Sequence, residues 1–117
     1  MLQLNTSAKQ KQFEAQAAKR YEHHAPNIED IAPIVIRAVF AYADAGSVNG
    51  NLYRGRLTGS GWADFGGRRY WGGYNRSTKQ IEFREDSLQG RPVLSFDNSS
   101  RKAEVERQIR RLRQLSA

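Results

Sequence analysis

The sequence contains no cysteine, and this absence excludes several kinds of chemistry. Without thiols the protein has no disulfide, no cysteine nucleophile and no cysteine-ligated zinc. No apolar run approaches the roughly 20 residues that a membrane-spanning helix needs. The first twelve residues, MLQLNTSAKQKQ, contain no hydrophobic segment of the kind found in signal peptides. We therefore expect a cytoplasmic protein that does not interact with a membrane.

Recognisable catalytic and metal-binding motifs are also absent. The glycines do not form a G-x-x-x-x-G-K-[ST] phosphate loop. The two histidines, His23 and His24, are adjacent and point in different directions, which is not a metal-ligating spacing. Glu82 with Arg69 and Arg84 could supply a general base beside cations, but charged residues are common on exposed sheet faces. We predict no catalytic residue, no metal site, no cofactor and no enzymatic activity.

The composition is that of one small folded domain. A chain of 117 residues is long enough for a single core, so we predict one domain over 1–117. The hydrophobic content of 38% and aromatic content of 10% argue against a disordered protein. The mean hydropathy of −0.76 indicates a thin core beneath a charged surface.

Two helices are predicted in the first part of the chain. Residues 7–22 form a peripheral helix, which starts with the capping-box pair Ser7 and Gln10 and carries a narrow apolar stripe. Residues 27–45 form the core helix, with Asn27 or Asp30 as its cap and Gly46 as its stop. Its apolar face has helical spacing and consists of Ile31, Ile34, Val35, Ala38, Val39 and Tyr42.

From Gly50 onward the pattern changes to short strands separated by turns. We predict an antiparallel meander of four or five strands over 52–96, with turns at residues 59–61, 66–67 and 75–78. The pair Gly66-Gly67 is typical of a two-residue hairpin turn, because both residues accept positive φ. A last helix spans residues 100–115. The order α-α-β-β-β-β-α predicts an α+β fold in which helices cover one face of the sheet.

The charge is strongly basic, with a net value of +7 and a pI of about 10.1. Such an excess favours partners that carry negative charge, either DNA or RNA or an acidic protein surface. The last helix alone holds six basic and two acidic residues, which is a net +4. Arginines near the end of a helix are also favoured by the helix dipole, so solubility and stability are an alternative explanation.

Residues 52–76 interleave aromatic side chains with arginines, which is the most informative local pattern. Guanidinium groups contact phosphates, and aromatic faces stack on bases or pack into protein hot spots. Because side chains alternate along a strand, Tyr70 and Trp71 should face opposite ways, one of them into the core. The predicted binding residues are Arg54, Arg56, Arg68, Arg69, Tyr70, Trp71, Tyr74, Arg76, Arg107, Arg110 and Arg111.

Three functions remain open from the sequence. The first is a non-enzymatic nucleic-acid-binding protein, with phosphate contacts from these arginines and stacking by Trp71 or Tyr74. The second is a protein-binding module, such as a phage- or plasmid-type inhibitor that docks on a nucleoprotein enzyme. The third follows from the order of elements, which resembles small basic folds including ribonuclease-type toxins. No toxin motif is matched, so that resemblance assigns no residue a role.

Overall fold

The structure, a computed structural model, describes residues 1–115, so the last two residues of the predicted domain lie outside it. Three helices and six strands follow one another along the chain. They are β1 (Leu2–Gln3), α1 (Ser7–His24), α2 (Ala32–Tyr42), β2 (Asn49–Tyr53), β3 (Arg56–Phe65), β4 (Arg68–Asn75), β5 (Gln80–Glu85), β6 (Pro92–Phe96) and α3 (Lys102–Leu115).

The strands form one antiparallel sheet whose spatial order, β1 to β6, is the order of the chain. The α+β class and the antiparallel meander are therefore confirmed. The prediction of four or five strands was too low, because β1 adds a strand that pairs with β2 at the edge of the sheet. The bounds also differ: residues 52–58, predicted as one strand, contain the end of β2, a turn and the start of β3, which continues to Phe65.

The turn predicted at residues 59–61 from its glycines is wrong. Gly59 and Gly61 lie within β3, where Gly61 allows a close backbone approach, since a Cβ there would stand 2.1 Å from the carbonyl oxygen of Asn49. The actual turn is Arg54-Gly55, between the paired residues Tyr53 and Arg56. Its two residues have φ values of 52° and 76°, as a tight hairpin turn requires.

The predicted hairpin turn at Gly66-Gly67 is confirmed, with φ values of 62° and 82°. It connects Phe65 to Arg68, which pair directly across β3 and β4. The Asp44 carboxylate accepts hydrogen bonds from both glycine amides, at 3.0 and 2.7 Å. A distant loop thus satisfies the two amide groups of this turn.

The helix ends differ from the predicted ones because of their caps. Thr6, not Ser7, caps α1 and accepts a bond from the Lys9 amide at 3.2 Å. The core helix begins at Ala32 rather than near residue 27 and ends at Tyr42. The Asn98 side chain, which follows β6 in the chain, accepts bonds from the two backbone amides just before α2, at 3.0 and 3.1 Å. A tertiary contact thus replaces the local cap.

The core lies between the three helices and one face of the sheet. α1 contributes Phe13, Ala17 and Tyr21, and its predicted stripe is buried despite the otherwise polar surface of this helix. The apolar face of α2 packs in the same cluster, which the sheet completes with Leu57, Ala63, Phe65, Tyr70, Ile81, Phe83 and Phe96. None of the helices within residues 1–115 is long and apolar enough to cross a membrane.

Candidate functional site

The sheet splits between β3 and β4, and this split creates a cleft. The two strands pair from Phe65 with Arg68 as far as Gly61 with Gly72. Beyond that point the first half of β3 pairs only with β2, and the last residues of β4 pair only with β5. The β2–β3 hairpin therefore diverges from the rest of the sheet and leaves a gap.

The cleft has a volume of about 260 Å³. Three elements surround it: the end of α1, the diverging β2–β3 hairpin and the end of β4. Its walls combine aromatic rings, small polar side chains and cations. The lining residues are Arg20, Tyr21, His24, Asn51, Thr58, Ser60, Trp71, Tyr74 and Arg76.

Tyr21 stabilises the split from the helical side. Its hydroxyl donates a 2.9 Å hydrogen bond to the carbonyl of Gly59, in the part of β3 that does not pair with β4. Its ring lies 6.3 Å from that of Tyr74. Burial raises the pKa of Tyr21 to about 12, although the nearby charge of Arg20 acts in the opposite direction. The tyrosine therefore remains a neutral hydrogen-bond donor at physiological pH.

A second cavity, the basic hollow, adjoins the cleft and has a volume of about 380 Å³. It is lined by Arg20, Tyr53, Arg54, Arg56 and Thr58, of which Arg20 and Thr58 also line the cleft. The Arg54 guanidinium lies 5.4 Å from the centre of the Tyr53 ring, and Tyr53 is 63% exposed. The hollow thus offers an exposed aromatic face beside several cations.

The charges at these two cavities are not neutralised within residues 1–115. Arg20, Arg54, Arg56 and Arg76 are exposed, and no carboxylate lies within ion-pair distance of them in this part of the chain. Among the residues that the structure describes, no carboxylate lines either cavity. Clefts lined by charge of one sign attract counter-ions from a distance. The arrangement therefore favours an anionic ligand.

The predicted binding residues of β4 lie in different environments. Trp71 lines the cleft and is 7% exposed, whereas Tyr70 faces the helices, is 3% exposed and packs on Phe65. Arg68 and Arg69 lie at the other end of the strand. Arg68 pairs with Glu85 at 3.1 Å, and Arg69 approaches Asp64 at 3.9 Å. Tyr70 therefore lines neither the cleft nor the hollow, and both arginines have acidic neighbours.

The basic helix α3 does not join the site. Arg107 forms a two-pronged pair with Glu104, with contacts between 2.6 and 3.1 Å. The hydrogen bonds from Arg107 hold the pKa of Glu104 below its ordinary value. Arg110 and Arg111 are exposed and have no ion-pair partner within residues 1–115, but neither lines the cleft or the hollow. The described residues of α3 therefore contribute nothing to the lining of either cavity.

Glu82 is fully engaged on the sheet face opposite the helices. Its side chain pairs with Arg84 at 2.7 Å and accepts hydrogen bonds from Asn75 and Thr78 at 2.9 and 3.3 Å. Burial acts to raise the pKa of Glu82, but these bonds outweigh it and the pKa lies below its ordinary value. A carboxylate held in this way is a poor general base, and Arg69 lies with Asp64 instead.

Several residues of the site were not among the predicted binding residues: Arg20, Tyr21, His24, Asn51, Tyr53, Thr58 and Ser60. Arg20 flanks the apolar stripe of α1, next to Tyr21, but its relevance appears only once α1 is placed against β3. The polar residues of the hairpin resemble ordinary strand surface. His24 lines the cleft, the side chain of His23 lies outside the described residues, and no group of three potential metal ligands exists among those that are described.

A family model described as "Integron cassette protein VCH_CASS1 chain" matches residues 11–105, which is well over half of the chain. The chain belongs to this family. The matched range contains every residue that lines the cleft and the basic hollow. No curated protein matches the sequence. Family membership assigns no ligand or reaction, so the function must be inferred from the site itself.

Proposed function

We propose that this integron cassette family protein binds nucleic acid at the cleft and the basic hollow. One observation carries the proposal: four arginines without acidic partners in the described chain converge there from three separate segments of the fold. Arg20 comes from α1, Arg54 and Arg56 from the β2–β3 hairpin, and Arg76 from the residue after β4. Guanidinium groups bind phosphates through paired, charge-assisted hydrogen bonds.

The aromatic residues favour nucleic acid over a simple anion. The exposed ring of Tyr53 lies in the hollow, and Trp71 and Tyr74 line the cleft. Base stacking on such rings, combined with a positively charged path for the backbone, is the usual mode of sequence-tolerant binding to single strands. A small inorganic anion would use the arginines but would gain nothing from the rings.

A protein partner is the second candidate, and the tip of the β2–β3 hairpin favours it. Leu52 and Tyr53 are 38% and 63% exposed, beside Arg54 and Arg56. An apolar and aromatic patch with arginines has the composition of a protein-binding hot spot. An acidic protein surface would satisfy the same cations, so the two functions must be separated by direct binding measurements.

The test compares two double variants that remove the same charge. Arg54→Gln with Arg56→Gln alters the hollow, and Arg110→Gln with Arg111→Gln alters exposed arginines on α3. Binding of fluorescent single- and double-stranded oligonucleotides is followed by anisotropy at several salt concentrations. With four phosphate contacts we expect a log–log salt slope near −3 for single strands. The hollow variant should reduce the magnitude of this salt slope by about 1.5 and weaken binding at least tenfold at low salt. The α3 variant should retain the slope of the wild type.

Two results would contradict the proposal. If the wild-type protein shifts no DNA or RNA at micromolar concentration in low salt, nucleic acid is not the ligand and the protein-partner function takes its place. If binding occurs but the α3 variant loses it while the hollow variant does not, the interface lies on the last helix. Circular dichroism of all variants establishes that a loss of binding is not a loss of fold.

A further inference from the structure

We infer that the cleft receives a single unstacked base, so that the protein prefers single-stranded nucleic acid to duplex. This inference depends on the proposed function and specifies its ligand. The cleft and the basic hollow differ in chemistry although they adjoin. The hollow has three arginines around one exposed tyrosine, whereas the cleft is lined by the rings of Tyr21, Trp71 and Tyr74, by three small polar side chains, and by His24 and two arginines. The hollow therefore suits a sugar–phosphate backbone, and the cleft suits a base.

The shape of the cleft supports this division. It lies where two strands of the sheet separate, and Trp71 in its wall is only 7% exposed. A ligand must therefore enter the gap to contact this ring. Bases in a duplex are stacked and paired, so they cannot enter without the cost of extrusion. A base in a single strand can leave its neighbours at much lower cost.

The polar groups of the cleft can recognise the edge of a base. The side-chain nitrogen of Asn51 donates to the Thr58 hydroxyl at 3.2 Å, and this hydroxyl lies 3.3 Å from the Asn51 backbone carbonyl, to which it donates. The side-chain oxygen Oδ1 of Asn51 has no hydrogen-bond partner within residues 1–115. The Thr58 and Ser60 hydroxyls lie 2.9 Å apart. An amide beside hydroxyl groups supplies both donors and acceptors, the combination that reads the Watson–Crick edge of an unpaired base.

Two residues line both the cleft and the hollow, and they indicate the path that a nucleic-acid strand would follow between the two cavities. Arg20 and Thr58 belong to both cavities, so a phosphate at Arg20 would join a base in the cleft to a backbone that continues along Arg54 and Arg56. Arg76 also lines the cleft, and it would contact a further phosphate of the same strand. The site thus accommodates a short single-stranded segment.

The experiment uses the full chain with Trp62→Phe, which leaves Trp71 as the sole tryptophan. Three probes are compared: single-stranded hexathymidylate, a hexamer of abasic deoxyribose phosphates with the same charge, and a twelve-base-pair duplex. We expect hexathymidylate to quench Trp71 fluorescence and to bind about tenfold more tightly than the abasic hexamer. The duplex should leave the fluorescence unchanged. Asn51→Ala should weaken binding of hexathymidylate severalfold and leave binding of the abasic hexamer unaltered.

The outcomes separate this inference from the proposed function. If the abasic hexamer binds as tightly as hexathymidylate, or if Trp71 fluorescence does not change on binding, no base enters the cleft and the inference is overturned, while phosphate binding at the arginines stands. If the duplex binds as tightly as the single strand, the inference is likewise overturned and phosphate binding at the arginines stands. If no probe binds at low salt, both the inference and the proposed function are wrong.

Discussion

Gly73 lies directly beneath the ring of Trp71 on β4, and a methyl group at this position should distort the wall of the cleft. An ideal Cβ on Gly73 would stand 2.7 Å from the Cη2 and Cζ2 atoms of Trp71 and 2.8 Å from the Cβ of Ser60. Gly73 does not have positive φ, so the substitution introduces no backbone strain. The destabilisation expected from Gly73→Ala is therefore steric in origin.

The magnitude follows from two opposing contributions. Inserting a methyl group into a close-packed site typically costs about 1–3 kcal/mol. Replacing glycine by alanine at an unstrained position reduces the entropy of the unfolded chain and gains about 0.4–1 kcal/mol. The net expected loss is roughly 1–2 kcal/mol. For a domain of this size each kcal/mol corresponds to a shift in Tm of about 4 °C.

Gly72, the preceding residue in the same strand, provides a matched control. Its added Cβ would meet the Phe83 ring at 3.8 Å, which is an ordinary contact. We expect Gly72→Ala to be neutral or slightly stabilising, so that the two variants differ by about 2 kcal/mol in urea unfolding followed by circular dichroism. If Gly73→Ala proves as stable as Gly72→Ala, the ring of Trp71 does not lie over Gly73 and the described wall of the cleft is wrong.

Three further predictions concern the acid dependence of stability, the core and metals. The pKa of Glu82 is lowered in the folded protein, so its stabilisation is complete above its ordinary pKa of 4.5 and is lost as the pH falls through the folded pKa. Glu82→Gln should therefore lower the free energy of unfolding by about 1–3 kcal/mol at pH 7. Below pH 4.5 the free energy of unfolding of the variant should fall less steeply with pH than that of the wild type. Urea titrations at several pH values measure both, and the same pH dependence in the two proteins would contradict the prediction. Val35→Asp should unfold the domain, because Val35 is 3% exposed and an unpaired buried charge costs several kcal/mol; an unchanged Tm would refute the core assignment. EDTA should leave the Tm unaltered, since no cluster of metal ligands occurs among the described residues, and a drop of several degrees would reveal a metal site.

Local patterns predicted the elements whose form depends on their own residues. The helical spacing of apolar residues identified α2 and its buried face, and the two adjacent glycines identified the turn at Gly66-Gly67. Alternation along β4 predicted that Tyr70 and Trp71 face opposite sides of the sheet, as they do. These features were predictable because periodicity and positive φ are properties of a segment and its immediate neighbours.

Only the tertiary structure decided which cations remain available for a ligand. The arginines of the sequence look alike, yet Arg68 and Arg107 lie against carboxylates, while Arg20 and Arg76 line a cleft that has no carboxylate among residues 1–115. That cleft exists because β3 leaves β4 beyond Gly61, at a point where sequence reasoning had placed a turn. Strand divergence and ion pairing both depend on which distant segments become neighbours in space. The sequence alone therefore determined the elements and the basic character of the protein, whereas the folded chain determined where that charge can act.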